Sequence, residues 1–265
     1  MLTYNEKEGA RAKKILNDSV TLSSLYREKF SHKPRVGNCS MLFSKLQPKT
    51  PEEFFYKYIT YATENKDKLP IKERGLTEEE LIAISTEYMT EGNKALDFDY
   101  PFDLYLNTMI YHIITETFNG KQREMDVVNM LENMGYEGKI NEGEDDSLYN
   151  MDISAYKEGK QQFAIQVKPI SFFKSKKPDV EADQKKACEA YERAKRIHGI
   201  TTYYMIYKAN PDKSWFWLKN LNNKKTFLID KIFDYDPANI RKTWRGAGVQ
   251  LRKILEYNNM STTHH

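Results

Sequence analysis

The sequence predicts an α/β protein, in which a mixed central sheet flanked by helices follows a mainly helical amino-terminal region. Three observations carry this expectation. Thr50 with Pro51, Glu52 and Glu53, and Thr77 with Glu80, are capped helix starts within the first hundred residues. Met151 to Tyr156 and Phe163 to Lys168 each alternate apolar and polar residues with a period of two, as strands do. A helical stripe from about Asp179 to Ile197 follows them and leads into further strand-like runs.

Taken in order, the elements begin with helices separated by loops. The run after Thr50 presents Phe54, Phe55, Tyr58 and Ile59, and the capping box at Thr77 and Glu80 opens onto Leu81, Ile82 and Ile84. Between the first helix and these two, Lys33 to Lys49 holds Pro34, Arg35, Gly37, Ser40 and Lys45 and reads as loop and short strand. Pro101 to Phe118 is an apolar helix carrying Leu104, Leu106, Met109, Ile110, Ile113 and Ile114. Gly120 is expected to break it, with a new helix from about Gln122 to Met134 ended by Gly135 and Gly138. A short strand around Lys139 to Asn141 then precedes the hairpin, whose turn is Lys157, Glu158, Gly159 and Lys160. Ala187, Ala190, Tyr191, Ala194 and Ile197 would let the next helix lie close on a sheet, and Thr201 to Lys208 and Trp215 to Leu218 supply two more strands. Trp215, Phe216 and Trp217 make both faces of the last strand aromatic, which favours core packing. The expected division is a helical region over 1–100, a core with a carboxy-terminal helix over 101–257 and a tail over 258–265.

Composition sets outer bounds. With 265 residues, 40% hydrophobic and 30% charged, the chain belongs with globular proteins. Its 41 basic and 38 acidic residues leave a net charge of +3, which neither argues for nor against a nucleic-acid partner, because a basic surface and an acidic pocket cancel in the sum. Cys39 and Cys188 stand far apart, so neither a disulfide framework nor a zinc site is expected. The absence of a long apolar run or of a signal-like amino terminus points to a cytoplasmic protein without a membrane partner. His264 and His265 close a short polar tail and read as a tag remnant. No Gly-x-x-x-x-Gly-Lys-Ser/Thr loop occurs, so no nucleotide cofactor is expected.

Four residues stand out chemically. Glu124 shares a helix face with Val128 and Leu131, and a carboxylate turned inward needs a cation, a metal or water beside it. A solvated glutamate in a helix's first turn explains it about as well. Asp152 lies on the polar face of one strand, and Gln166 and Lys168 on that of the next. In a paired hairpin these faces coincide, bringing together a carboxylate, an amide oxygen and an ammonium. Oxygens of this kind hold a hard divalent cation, and the ammonium offsets charge that develops during phosphodiester hydrolysis. An amphipathic hairpin with a solvated outer face is the plainer alternative.

In chain order, the glutamate helix, the strand with Asp152 in Asn-Met-Asp-Ile-Ser, and the strand with Gln166 and Lys168 in Ala-Ile-Gln-Val-Lys-Pro resemble the PD-(D/E)xK nuclease superfamily, in the variant with glutamine for the second acid. The resemblance covers about Gln122 to Leu218. It implies a restriction-endonuclease-like core, with Glu124, Asp152, Gln166 and Lys168 catalytic and Mg²⁺ held by Asp152, Gln166, the Val167 carbonyl and Glu124. Lys168 would be the catalytic lysine and Glu124 the outer acid. Two departures stand out. No proline or neighbouring acid precedes Asp152, and Glu144, Asp145 or Asp146 just upstream is an alternative ligand. Gln166 also removes a negative charge, which leaves the number of metals open.

The helical region joined to such a core, with Arg-Val-Gly at Arg35 and Gln-Pro-Lys-Thr-Pro-Glu-Glu-Phe after it, is similar to type II restriction endonucleases of the MjaI-like group, which cut CTAG. That implies a homodimer acting on a palindrome in double-stranded DNA. Arg35, Lys45, Lys174, Lys176, Lys177, Arg241, Lys242 and Arg245 are the basic residues placed for DNA, although such runs are more often solvated surface. Gly246 and Gly248 beside Arg245 fit either a backbone approach to DNA or a loop. A structure-specific repair or junction-resolving nuclease, and a DNA-binding module that has lost catalysis, are the competing expectations.

Overall fold

The computed structural model describes residues 2–133, 135–141, 149, 151–169, 186, 189–190, 192–208, 214–220 and 233–235. Lys174, Lys176, Lys177, Arg241, Lys242, Arg245, the acids Glu144, Asp145 and Asp146, and the tail all lie outside the described residues, as do Cys188, Gly246 and Gly248. Two compact units divide the chain, Met1–Gln122 and Arg123–His265. The division falls later than residue 100, so the apolar helix after Pro101 belongs to the helical unit.

That first unit contains α1 (Glu6–Asn17), α2 (Val20–Leu25), a π-helical turn (Tyr26–Phe30), α3 (Lys33–Val36), α4 (Cys39–Leu46), α5 (Pro51–Glu64), α6 (Ile71–Arg74), α7 (Glu78–Leu96), α8 (Phe102–Ile110) and a second π-helical turn (Tyr111–Glu116). The two starts read from sequence are in place. Thr50 Oγ1 accepts from Glu53 N, and Thr77 and Glu80 form the reciprocal capping box. The region 33–49 is helical instead of loop and strand. Asn38 caps α4 by accepting from Met41 N, and Pro34 stands at the start of α3, where its missing N–H costs nothing. An aromatic core of Phe30, Phe43, Phe54, Phe55, Tyr58, Tyr88 and Tyr105 holds the unit together. At its centre the Tyr58 hydroxyl donates to Val36 O at 2.6 Å and accepts from Leu76 N at 2.9 Å.

Gly120 does not break the chain: α9 runs unbroken over Thr117–Asn133, directly after the π turn. A glycine inside a helix costs about 1 kcal/mol relative to alanine, which packing readily offsets. Glu124 therefore stands well inside its helix and not in a first turn. The end of α9 is as expected. Gly135 at φ +82° allows Tyr136 N to reach Leu131 O and Gly135 N to reach Glu132 O, both at 3.0 Å, the double bond of a glycine-terminated helix. Gly138 is part of a strand, where an added Cβ would stand 3.1 Å from Val128 Cγ1.

The second unit is built on a mixed sheet. β1 (Glu137–Ile140), β2 (Ile153–Lys157) and β3 (Lys160–Pro169) are antiparallel neighbours, and β4 (Thr202–Lys208) joins β3 in parallel. β5 (Ser214–Asn220) and β6 (Phe233–Tyr235) continue outward, each antiparallel to the strand before it. The β2–β3 hairpin turns at Glu158 and Gly159, φ +52° and +74°, as a tight two-residue turn requires. A bulge between Ala155 and Tyr156 shifts the register further along the pair.

Side-chain alternation gives each face its cover. Ile153, Ala155, Phe163, Ile165, Val167, Tyr203 and Met205 pack with Val127, Met130 and Leu131 of α9. The opposite face carries Ala164, which packs with Met151 and with Ala194 of the helical segment 192–198. The fold is therefore mixed α/β, with a helical amino-terminal unit and helices over the sheet.

Candidate active site

Register decides what the site contains. Ile153 pairs with Ile165, so Asp152, the residue just ahead of β2, falls opposite Gln166. Its carboxylate lies against β3 and serves two donors there. Gln166 Nε2 donates to Oδ1 at 2.6 Å, and Val167 N donates to Oδ2 at 2.7 Å. Asp152 thus replaces the ladder bond that β2, not yet begun, leaves open to Val167.

The main chain of Asp152 is held from the other side. Asn141 N donates to Asp152 O at 2.8 Å, and Asn141 Nδ2 donates to Met151 O at 2.8 Å and Ser154 Oγ at 2.9 Å. Gln161 Nε2 adds a second bond to Ser154 Oγ at 2.9 Å. Asn141, Ser154 and Gln161 therefore set the position of the carboxylate without touching it. Sequence reasoning missed them, because their roles depend on which residues β1 and β3 place beside β2.

Burial gives these bonds their weight. Asp152 is 8% exposed and Gln166 1%. The Gln166 amide spends its nitrogen on Asp152, and its oxygen, Oε1, is buried with no hydrogen-bond partner among the described residues. Leaving such an acceptor unsatisfied costs about 1–3 kcal/mol. Thr202 Oγ1 is a second buried oxygen without a partner among the described residues, and Thr202 pairs with Ala164, on the same face as Gln166. Lys168, two residues along β3, shares that face and is half-buried.

The oxygens fit a hard divalent cation. Asp152 contributes the one carboxylate, whose oxygens accept from Gln166 Nε2 and Val167 N. Gln166 Oε1 is wholly available. Val167 directs its N–H toward Asp152, and in a strand the carbonyl of the same residue projects to the same side. Among the described residues no group of three or more His, Cys, Asp or Glu is placed to hold a metal. A site here would therefore rest on one carboxylate and neutral oxygens, with water and substrate completing the shell, as Mg²⁺ tolerates and Zn²⁺ does not.

Asp152 and Gln166 touch, and Lys168, two residues further along β3, stands on the same face of the strand as Gln166. Glu124 is placed differently. It stands one helical turn before Val127 on α9, which covers the Ile165 and Val167 face of the sheet, opposite Gln166 and Lys168. Glu124 is half-buried, and helix phase alone does not say which face of a sheet the helix will cover. Of the basic residues proposed for DNA, the described ones already have protein partners. Arg35 pairs with Glu87 and lies over the Phe30 ring at 5.2 Å, while Lys45 donates to the Tyr61 hydroxyl at 2.6 Å.

Comparison with protein-family models, with curated proteins and with solved structures gives no match. No helix among the described residues is long and apolar enough to cross a membrane.

Proposed function

We propose that this chain is a metal-dependent phosphodiesterase acting on DNA, with Asp152, Gln166 and the Val167 carbonyl holding Mg²⁺ and Lys168 serving the chemistry. More narrowly, the reading is a type II restriction endonuclease with a PD-(D/E)xK-like core, cutting double-stranded DNA at a short palindrome as a homodimer, as its resemblance to the MjaI-like group implies. The observation that supports it is the buried Gln166 Oε1, unpartnered among the described residues and fixed beside the Asp152 carboxylate.

When bound, Mg²⁺ would polarise the scissile phosphate and lower the pKa of a coordinated water. The chain's own residues do the rest. Asp152, anchored by Val167 N and by the Asn141 contacts, presents carboxylate oxygens in a fixed direction. Gln166 adds a neutral oxygen whose orientation Asp152 dictates. Lys168 places its ammonium beside the phosphate oxygens, where it orients the attacking water and offsets negative charge as the bond to the incoming oxygen forms. Glu124, on the helix over the other face of the sheet, would be the outer acid, binding the metal directly or through water.

Incubating unmethylated supercoiled plasmid with the protein tests this reading. Discrete fragments that require Mg²⁺ and vanish with chelator support a restriction enzyme. Cleavage confined to branched substrates would move the reading to a junction-resolving nuclease, and bound but intact DNA to a module without catalysis.

A further inference from the structure

Thr202 carries a hydroxyl that the fold does not use. Among the described residues five buried side-chain polar atoms lack a hydrogen-bond partner, and only Gln166 Oε1 and Thr202 Oγ1 belong to the second unit. Strand register brings these two together. Thr202 pairs with Ala164 and Tyr204 with Gln166 across the parallel strands β3 and β4. Thr202 and Gln166 are therefore diagonal neighbours on one face of the sheet.

Packing does not explain the hydroxyl. Thr202 is 1% exposed, and its paired neighbour Ala164 packs with Ala194, so the side chains on that flank are small and apolar. Valine has nearly the shape of threonine and would fill the position without burying an oxygen. A buried hydroxyl without a partner weighs against the folded state, and such a group calls for a ligand.

The neighbours say which ligand. Asp152 approaches Gln166 from the β2 side and accepts from its Nε2, while Thr202 flanks Gln166 on the β4 side. Adjacent strands lie about 4.8 Å apart. An ion held by Asp152 and Gln166 Oε1 is then too far from Thr202 for direct contact, and one water spans the gap. Mg²⁺ keeps several of its waters, and a water polarised by the ion is a strong donor that needs an acceptor. A threonine hydroxyl accepts.

We infer that Thr202 is a positioning residue of the cation site, whose Oγ1 accepts from a water in the hydration shell of the ion held by Asp152 and Gln166. The inference rests on the proposed metal centre and adds a support from β4 to it. Outer contacts of this kind typically contribute tenfold or more to metal affinity.

The test titrates Mn²⁺ into the full chain and counts the free ion by its EPR signal, for wild type, Thr202→Val, Thr202→Ser and Asp152→Asn. Thr202→Val keeps the shape and loses the oxygen, so it should bind Mn²⁺ about tenfold more weakly than wild type. Without ions it should melt no lower than wild type, because it buries no unpaired hydroxyl. Thr202→Ser keeps the oxygen and loses a methyl, so its melting temperature should fall while Mn²⁺ affinity stays within about threefold. A structural role alone would give the reverse pattern. Asp152→Asn should lose the ion. If Asp152→Asn loses it and Thr202→Val binds as tightly as wild type, the inference is overturned and the metal centre stands. If wild type binds no ion, or Asp152→Asn binds as wild type does, the metal centre fails and the inference falls with it.

Discussion

Asp152 binds Gln166 with one carboxylate oxygen and the Val167 amide with the other, at 2.6 and 2.7 Å. One ionised side chain thereby sets both the orientation of an amide and the course of β3 as it passes the start of β2. Its replacements should separate structure from chemistry. In Asp152→Asn, the new oxygen still accepts from Val167 N, and the Gln166 amide turns over to accept from the new nitrogen. Stability should then fall by less than about 1 kcal/mol, while Mg²⁺-dependent cleavage is lost. Asp152→Ala strands two buried donors and should cost about 2–5 kcal/mol. Urea denaturation of both variants checks the contrast.

Gln166→Glu places a second carboxylate against Asp152 in the same buried volume. Like charges at that separation raise one pKa and destabilise the metal-free protein at neutral pH. A divalent cation relieves the repulsion. Mg²⁺ should therefore raise the Tm of this variant more than that of the wild type, as thermal denaturation at fixed ionic strength would show. Equal Mg²⁺ responses would place the ion elsewhere.

Lys168 is half-buried, and its assigned work is on the phosphate. Lys168→Ala should abolish cleavage, leave duplex affinity within about threefold and change stability by under about 1 kcal/mol. Cleavage retained by a carefully purified variant would remove Lys168 from the chemistry.

In the helical unit, Arg74 is 5% exposed and grips Glu80 with two bonds of 2.7 Å, while Glu80 also closes the capping box of α7. The Arg74 bond, with the Thr77 amide, lowers the Glu80 carboxyl from its ordinary 4.5 to about 2. A carboxyl whose pKa is depressed by folding contributes stability that is complete above the unfolded value and fades as pH falls. Acid titration should therefore show a loss of stability between about pH 4.5 and 2 that Glu80→Gln removes. Arg74→Met should cost about 3 kcal/mol at neutral pH, because Glu80 loses its partner.

Local chemistry was legible, and long-range placement was not. Thr77 and Glu80 announced a capping box within four residues, and the hairpin that joins Asp152 to Gln166 followed from alternation and a Glu-Gly turn. Asn38 gives a weaker signal, since asparagine caps helices and turns alike, and Pro34 and Gly37 beside it suit loop and helix start equally. Gly120 does not end its helix, because packing overrides a propensity of about 1 kcal/mol. Asn141 and Thr202 owe their positions to strand register, which no local pattern encodes. Helix phase groups Glu124 with Val128 and Leu131, yet the face that α9 covers is decided by the whole αβ arrangement.

The central claim is that Asp152 and Gln166 hold a divalent ion together, and Mn²⁺ reports on it directly. In crystals grown with Mn²⁺, anomalous diffraction should place one ion about 2 Å from an Asp152 carboxylate oxygen and from Gln166 Oε1. An ion bound elsewhere, or none at concentrations that support cleavage, would contradict the account.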